Sequence, residues 1–274
     1  MFFEGRVQHV LARDGQLRIS DGRWVPEEEA PHLAPCVPSK IVAMHLNLDA
    51  RRIENRDPAP PATPNYFLKP PTSVNAHHGV LHRPQGHHYL NYEGELAVVV
   101  GQPLFDVRPD DAWAAIAGFT VANDVGLHDY RDTDNGSMLR VKGQDGFCPL
   151  GPGLVSGVDV RESTLRTYVN GAVVQEGSIA DLLFDPGYVL SDLSRHMTLL
   201  PGDVVLLGTP ANSRPMNVGD VVEVEVTGVG RLSNRIAERP DAAFEDGHRR
   251  TDSDNVRRIA LMGDYWAARD AEVH

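Results

Sequence analysis

The sequence predicts a mostly β protein with a few short helices, of α+β class, and three observations predict it. Glu95–Gly101 (ELAVVVG) is a continuous apolar run, as in strands buried on both faces. Asn170-Gly171 separates two strand-like segments, Thr164–Val169 and Ala172–Gln175, and Asn-Gly is the strongest short signal for a type I′ hairpin. Val221–Val226 alternates, with Val222, Val224 and Val226 on one face and Glu223 and Glu225 on the other.

Taken from the N-terminus, Arg6–Leu11 and Gln16–Ile19 flank Asp14-Gly15, a second hairpin signal. Trp24-Val25-Pro26 leads through Glu27–Glu29 into the proline-rich segment Pro31–Pro38. Residues 1–38 are therefore expected to form a small N-terminal β appendage. Lys40–Leu48 is apolar enough for a buried strand. Four prolines lie between Pro58 and Pro64, and residues 49–64 are expected to be a helix-free, lid-like loop. Asn65–Lys69 reads as strand and precedes a histidine-rich stretch, His77 to His88. Pro109–Ile116 reads as a helix opened by acidic residues, and Phe119–Asn123 as strand. Ser178–Phe184 and Gly187–His196 carry helical patterns. Pro201-Gly202-Asp203 turns into the apolar Val204–Leu207 and then Gly208-Thr209-Pro210. Residues 39–237 make one large catalytic-sized domain. Residues 238–274 are expected to be a peripheral tail, with a helix docked by Leu261, Tyr265 and Trp266.

Composition excludes several function classes. A net charge of −12 leaves no basic face for nucleic acid. No apolar run approaches the length of a membrane span, and Met1-Phe2-Phe3-Glu4-Gly5 turns polar too soon for a secretory signal. Cys36 and Cys148 are the only cysteines, which excludes a disulfide framework, though not a single bridge, and suits two reduced thiols in a cytoplasmic protein. The expected partner is a small molecule.

The chemistry centres on Glu93-Gly94-Glu95. Residues i and i+2 of a strand share a face, so two carboxylates would stand side by side at the edge of a core strand. Their repulsion is costly unless a cation or a shared proton relieves it. Asp124 ends the next apolar strand, and three carboxylates without a thiol suit Mg²⁺ or Mn²⁺. A Glu-x-Glu pair is also a common solvated strand face. Lys142, between Val141 and Gly143, could pair with a substrate carboxylate or be an ordinary surface lysine. Gly208-Thr209-Pro210 could offer a hydroxyl and N–H groups to an anion, or be only a turn. Among the histidines, His77-His78 and His87-His88 are adjacent pairs, which point apart on an extended chain and so argue against a Zn²⁺ site. No G-x-S-x-G elbow, phosphate loop or dinucleotide fingerprint is present.

In order, NYFLKPPTSV (65–74), YEGELAVVVG (92–101), IAGFTVANDV (116–125), LRVKGQDGFCPLGP (139–152), LRTYVNGAVVQEGSIADLLF (165–184), MTLLPGDVVLLGTP (197–210) and VGDVVEVEVTGVGRLSNRI (218–236) resemble the fumarylacetoacetate hydrolase superfamily. The likeness covers about residues 40–237. It is strongest to the branch that decarboxylates 5-oxopent-3-ene-1,2,5-tricarboxylate and isomerises 2-hydroxyhepta-2,4-diene-1,7-dioate. The resemblance implies mixed β-sheets rolled around the site and a homodimer. It implies Mg²⁺ or Mn²⁺ held by Glu93, Glu95 and Asp124, with Lys142 and Thr209 facing the 2-oxo acid end of the substrate. It implies a cation acting as Lewis acid to stabilise an enolate, from which CO₂ loss, proton movement or C–C cleavage by water can follow.

Two positions depart from the pattern. Many relatives carry L-N-Y-x-D-H-x-x-E, whose His and Glu form a lid dyad. Here Leu46–Glu54 retains Glu54 but places Arg51 where His stands, and Arg cannot serve as a general base near neutral pH. Arg131 occupies a position often held by Gln. An extra cation there, with Tyr130 beside it, would suit a second substrate carboxylate. The sequence thus favours an isomerase or decarboxylase of a 2-oxo or 2-hydroxy-enoic di- or tricarboxylic acid in aromatic catabolism. A C–C hydrolase of an acylpyruvate, a non-catalytic carboxylate binder and a divergent enzyme of specialised metabolism stay open.

Overall fold

In the computed structural model, which describes residues 2–3, 6–7, 10–26, 32–57, 59–239 and 250–272, the longest apolar run lies at the centre. Gly94–Val100 is buried at every position and pairs antiparallel with Ile116–Asn123 on one side and Val204–Leu206 on the other. Ile41–His45 and Asn65–Lys69 extend this sheet at one edge, and Cys148–Val155 and Val74–Ala76 at the other, to give seven strands. Two of its pairings, Val204–Leu206 with Ile41–His45 and Cys148–Val155 with Val74–Ala76, are parallel, so the sheet is mixed. A second mixed sheet runs Ala172–Ser178, Thr164–Val169, Val221–Val226, Gly230–Arg239, Val80–Pro84.

Between the sheets pack Leu96, Val98, Val121, Leu165, Val224 and Leu232, all buried. The opposite face of the seven-stranded sheet carries Ile41, Ala43, Ala97, Val99 and Leu206, with Ala34 and Cys36 against them. This two-sided burial is what the unbroken run of Val and Leu signals. Each such side chain contributes about 1.5–3 kcal/mol when fully buried. Gly94 is required by the close approach of the sheets: a Cβ there would lie 2.2 Å from Thr167 Oγ1.

The hairpins form as expected. Asn170 and Gly171 take φ of 51° and 81°, and Asp14 and Gly15 take 52° and 71°, the left-handed pair that a type I′ turn needs. The N-terminal strands are short, Arg6–Val7, Leu11–Arg13, Gln16–Arg18 and Trp24–Pro26. Residues 8 and 9 of the first expected strand, Glu27–Glu29, Pro31, and residues 240–249 of the C-terminal segment lie outside the described residues.

Three expectations are corrected. Residues 49–64 are not helix-free, because Asp49–Glu54 is an α-helix. The prolines begin only at Pro58, and Leu46, at φ 50°, ends the preceding strand and turns the chain into this helix. Ser178–Phe184 holds only a 3₁₀ turn, Ile179–Asp181, since Ser178 caps it and Leu182 is already extended. His77 and His78 do not point apart: His78 sits at φ 63°, and the two rings lie 3.8 Å apart between centroids. The helical patterns at Pro109–Ala114 and Pro186–Ser194 are helices. The C-terminal segment forms two helices, Asp254–Leu261 and Gly263–Glu272. No described helix is long and apolar enough to cross a membrane.

Candidate active site

Strand alternation puts Glu95 on the face of Ala97 and Val99, away from the core between the sheets. Glu93 precedes the strand, and Asp124 follows its partner strand. The register pairs Gly94 with Asn123, and the Asp124 N–H donates to the Glu93 carbonyl at 2.8 Å. The three carboxylates therefore meet, with one oxygen from each within 4.8 Å of the others.

Their charges are answered unequally. Lys142 Nζ donates to Glu93 Oε2 and to the Asp124 carbonyl, both at 2.7 Å, and lies 2.8 Å from Asp124 Oδ2. Lys69, fully buried, donates to Asp124 Oδ1 and, at 3.1 Å, to the Phe147 carbonyl. Burial alone would raise the Asp124 carboxyl, but Lys142 and Lys69 outweigh it and hold the group below its usual range. Burial would likewise lower Lys142, and Asp124 and Glu93 instead hold it above its ordinary value. Glu95 is different. At 1% exposure it accepts the Gly208 N–H at 2.6 Å and pairs with no cation among the described residues. Burial, then the charges of Asp124 and Glu93, push its carboxyl well above the usual range. Gly208 can aim that N–H because it takes φ of 99° and lies where a Cβ would sit 2.9 Å from the Asn47 Cβ. A buried, all-oxygen donor set with one carboxylate left without a cation fits a hard divalent ion.

A cavity of about 430 Å³ opens onto Glu93 and Lys142 and is walled by His45, Arg51, Phe67, Arg131 and Thr209, among others. The Thr209 hydroxyl accepts from Gln175 Nε2 at 3.0 Å. Arg51 is buried and bridges Glu54 Oε2 at 3.0 Å and Glu93 Oε1 at 3.3 Å. Glu54 is not on the cavity wall. Its oxygens accept from Arg51, Arg214, Asn212 N–H and Gly263 N–H. Burial would raise its carboxyl, but Arg51 and Arg214 outweigh that and lower it. Glu54 is thus a clamp holding Arg51, not a free base. Tyr130 is turned away from the cavity, its hydroxyl 2.9 Å from His87 Nε2.

Sequence reasoning missed Lys69, His45, Asn255 and Arg258. Lys69 carries a signal in retrospect: a lysine closing an apolar strand in front of two prolines has no solvent to reach. His45 shares the Ile41–Ala43 face of its strand and so points at the same side as Glu95. Burial, then Arg131 and Lys142, push its imidazole down to about 4, so it is neutral at pH 7. Asn255 and Arg258 come from the segment expected at the periphery and line the cavity.

A second cluster, His32, His77 and His78, also gathers ligand atoms within 4.8 Å. His77 Nδ1 accepts the Ser233 N–H at 3.0 Å. A neutral imidazole has one lone-pair nitrogen, and this one is already engaged. The acidic cluster is therefore the stronger metal candidate.

The chain is similar to proteins of known name. A bifunctional isomerase/decarboxylase of 4-hydroxyphenylacetate degradation from Salmonella dublin is 42% identical over 180 residues, 65% of this chain and 42% of the relative. This chain therefore spans less than half of that relative's length. A 5-carboxymethyl-2-hydroxymuconate delta-isomerase from Mycobacterium smegmatis matches with TM-score 0.76 and 36% identity, over 85% of this chain and 94% of that one. A 2-hydroxyhepta-2,4-diene-1,7-dioate isomerase from Mycobacterium marinum matches with TM-score 0.73 and 36% identity, over 85% and 87%. Residues 40–237 match the model of the fumarylacetoacetate hydrolase C-terminal family, and the chain belongs to that family.

Proposed function

We propose that this chain is a divalent-metal-dependent isomerase or decarboxylase of a 2-oxo or 2-hydroxy-enoic di- or tricarboxylic acid, acting in aromatic catabolism. The names of the three relatives support the reaction class. The observation that carries the reading is the buried Glu93, Glu95 and Asp124 cluster facing Lys142 at the base of a cation-lined cavity. Glu93, Glu95 and Asp124 would hold Mg²⁺ or Mn²⁺, which would supply Lewis acidity toward the 2-oxo acid. The family resemblance supports a homodimer, and two free thiols, Cys36 and Cys148, support a cytoplasmic location.

Lys142 and the Thr209 hydroxyl hold the 2-oxo acid end. In decarboxylation the bond to the departing carboxylate breaks, its electron pair moves toward the 2-oxo oxygen, and CO₂ leaves. A proton then adds at carbon. In isomerisation one carbon of the conjugated chain loses a proton and another gains one. His45, neutral and on the cavity wall, is the imidazole placed to take up and return the proton, against the burial and the Arg131 and Lys142 charges that keep its basicity low. Arg51 does not serve, since its guanidinium is fixed between Glu54 and Glu93 and stays charged. That fixation is the reason for ranking decarboxylation and isomerisation above hydrolysis of an acylpyruvate.

The test is a product assay on the Mg²⁺-loaded protein with 5-oxopent-3-ene-1,2,5-tricarboxylate and, separately, acetylpyruvate. Metal-dependent CO₂ from the tricarboxylate supports the reading. Pyruvate from acetylpyruvate, without CO₂ from the tricarboxylate, overturns it in favour of hydrolysis.

A further inference from the structure

Four side chains of the helix Asp254–Leu261 and the residue after it, Asn255, Arg258, Ile259 and Met262, share the i, i+3, i+4, i+7 face and line the cavity that holds Glu93 and Lys142. This helix lies beyond residues 40–237, the stretch matched by the family model. It is firmly seated. Val256 and Ala260 are buried, the Asn91 amide donates to the Ala260 carbonyl at 2.8 Å, and the Thr251 N–H donates to the Asp129 carbonyl at 2.8 Å. Gly263 N–H reaches Glu54, the clamp of Arg51, at 3.3 Å.

The cavity's cations divide into two sets. Lys142 and Arg51 are engaged by carboxylates of the protein. Arg131 and Arg258 pair with no carboxylate among the described residues. Arg131 is largely buried, its Nη1 donates only to the Met138 sulfur, and its Nε has no hydrogen-bond partner. Burial lowers its pKa; the charges of Glu93 and Asp124 oppose that shift without overcoming it, and the nearby Arg51 and Arg258 add repulsion. Arg258 donates to two neutral oxygens, Asn55 Oδ1 at 3.3 Å and Asn255 Oδ1 at 3.2 Å. Asn255 is itself held by its amide on Asp132 Oδ1 at 2.7 Å, which fixes the oxygen that orients Arg258. Two arginines facing one cavity without an ion-pair partner among the described residues are a costly arrangement in a free-standing fold. A planar guanidinium pair is suited to a carboxylate.

We infer that the C-terminal helix completes the active site, and that Arg258 and Arg131 together form a subsite for a second carboxylate, at the far end of the substrate from its 2-oxo acid group. This deepens the function proposed above and rests on it for the orientation of the substrate. The ligand class is a 2-oxo or 2-hydroxy-enoic acid with a terminal carboxylate.

The test is calorimetric binding to the full Mg²⁺-loaded chain, with pyruvate as the 2-oxo monocarboxylate and 2-oxoadipate as the 2-oxo dicarboxylate. The wild-type protein should bind 2-oxoadipate roughly tenfold or more tightly than pyruvate, the size expected for a buried charge pair. In Arg258→Met the ratio of the two affinities should fall toward one, while Arg258→Lys retains part of it. Thermal melting of both variants checks that the helix still docks. Equal affinities in the wild type, or an undiminished ratio in a folded Arg258→Met, would overturn the subsite. If the preference depends on Arg258 but the product assay shows no turnover, the reaction assignment fails and the subsite stands. If CO₂ is released and Arg258→Met keeps the preference, the reverse holds.

Discussion

The acidic end of the site is Glu93, Glu95 and Asp124, which stand on two hydrogen-bonded core strands with Glu93 on the cavity wall, and Lys142, Lys69 and Arg51 answer every carboxylate but Glu95. The basic end is Arg131, which opens the short helix Arg131–Asp134, and Arg258 from the C-terminal helix; the charge of Glu93 acts on Arg131, but neither arginine forms an ion pair among the described residues. At the first end Glu95 lacks a cation partner, and at the second Arg131 and Arg258 lack a carboxylate partner, among the described residues. A divalent ion completes one and a substrate carboxylate completes the other, so a metal-chelated dicarboxylic acid satisfies both. The folded chain alone bears both electrostatic deficits, as expected where function rather than stability sets the sequence.

The largest effect is expected at the acidic end. Glu95→Gln should abolish retention of Mg²⁺ or Mn²⁺, measured by elemental analysis after dialysis, and reduce turnover on the order of a thousandfold. The fold should survive, because the change removes a buried carboxylate that no cation answers. Unchanged metal content would remove the proposed site. pH sharpens the same point. The raised Glu95 pKa means that the metal-free folded chain keeps a proton the unfolded chain has released. Metal-free stability should therefore fall as pH rises above the ordinary carboxylate range, while metal affinity climbs by up to about tenfold per pH unit. Glu95→Gln should flatten the stability trend.

Next is the lysine that the ion does not replace. Lys69→Met strands Asp124 beside a lost partner at a fully buried position and should cost about 3–5 kcal/mol by denaturant titration. Adding Asp124→Asn should recover part of that loss. A cost below about 1 kcal/mol would mean that Lys142 alone satisfies Asp124.

The basic end should behave in the opposite way. Arg131→Met removes a largely buried cation with no ion-pair partner among the described residues, so the ligand-free protein should gain about 1–2 kcal/mol. The same variant should lose its preference for dicarboxylates. A destabilised Arg131→Met would erase the contrast between the two ends.

The same contrast governs how much the sequence revealed. Glu93, Glu95 and Asp124 were legible because a period of two on an apolar strand fixes which side chains share a face, and the family motifs added Lys142 and Thr209. The hairpins at Asp14-Gly15 and Asn170-Gly171 were legible because their turn residues demand left-handed backbone. The helix Asp49–Glu54 is hidden in the sequence by the prolines that begin nine residues after its start, which break a helix only where they stand and leave the turn before them free to form. The inward face of Asp254–Leu261 had no local signal: Arg258 faces Arg131 through packing across more than a hundred residues, which no periodicity records. The same holds for Tyr130, one residue before Arg131, yet turned by the chain toward His87.

The smallest expected effect, and the one that bears most on reaction type, is at the junction of the two ends. Arg51 and Glu54 lie three residues apart on one helix, so a side chain at position 51 is already aimed at the Glu54 carboxylate. Arg51→His would place an imidazole beside a carboxylate able to orient it, which is the arrangement a water-activating base needs. It would also release Glu93 from its guanidinium partner at 3.3 Å. Acetylpyruvate hydrolysis should rise above the wild-type level by roughly tenfold, below the full range for general-base catalysis because Glu54 remains tied to Arg214, Asn212 and Gly263. Pyruvate release would be followed by mass spectrometry at matched metal loading. No gain, with metal content intact, would mean that the residue at 51 does not decide between hydrolysis and decarboxylation. His45, the other imidazole on the wall, would then be the place to look for that choice.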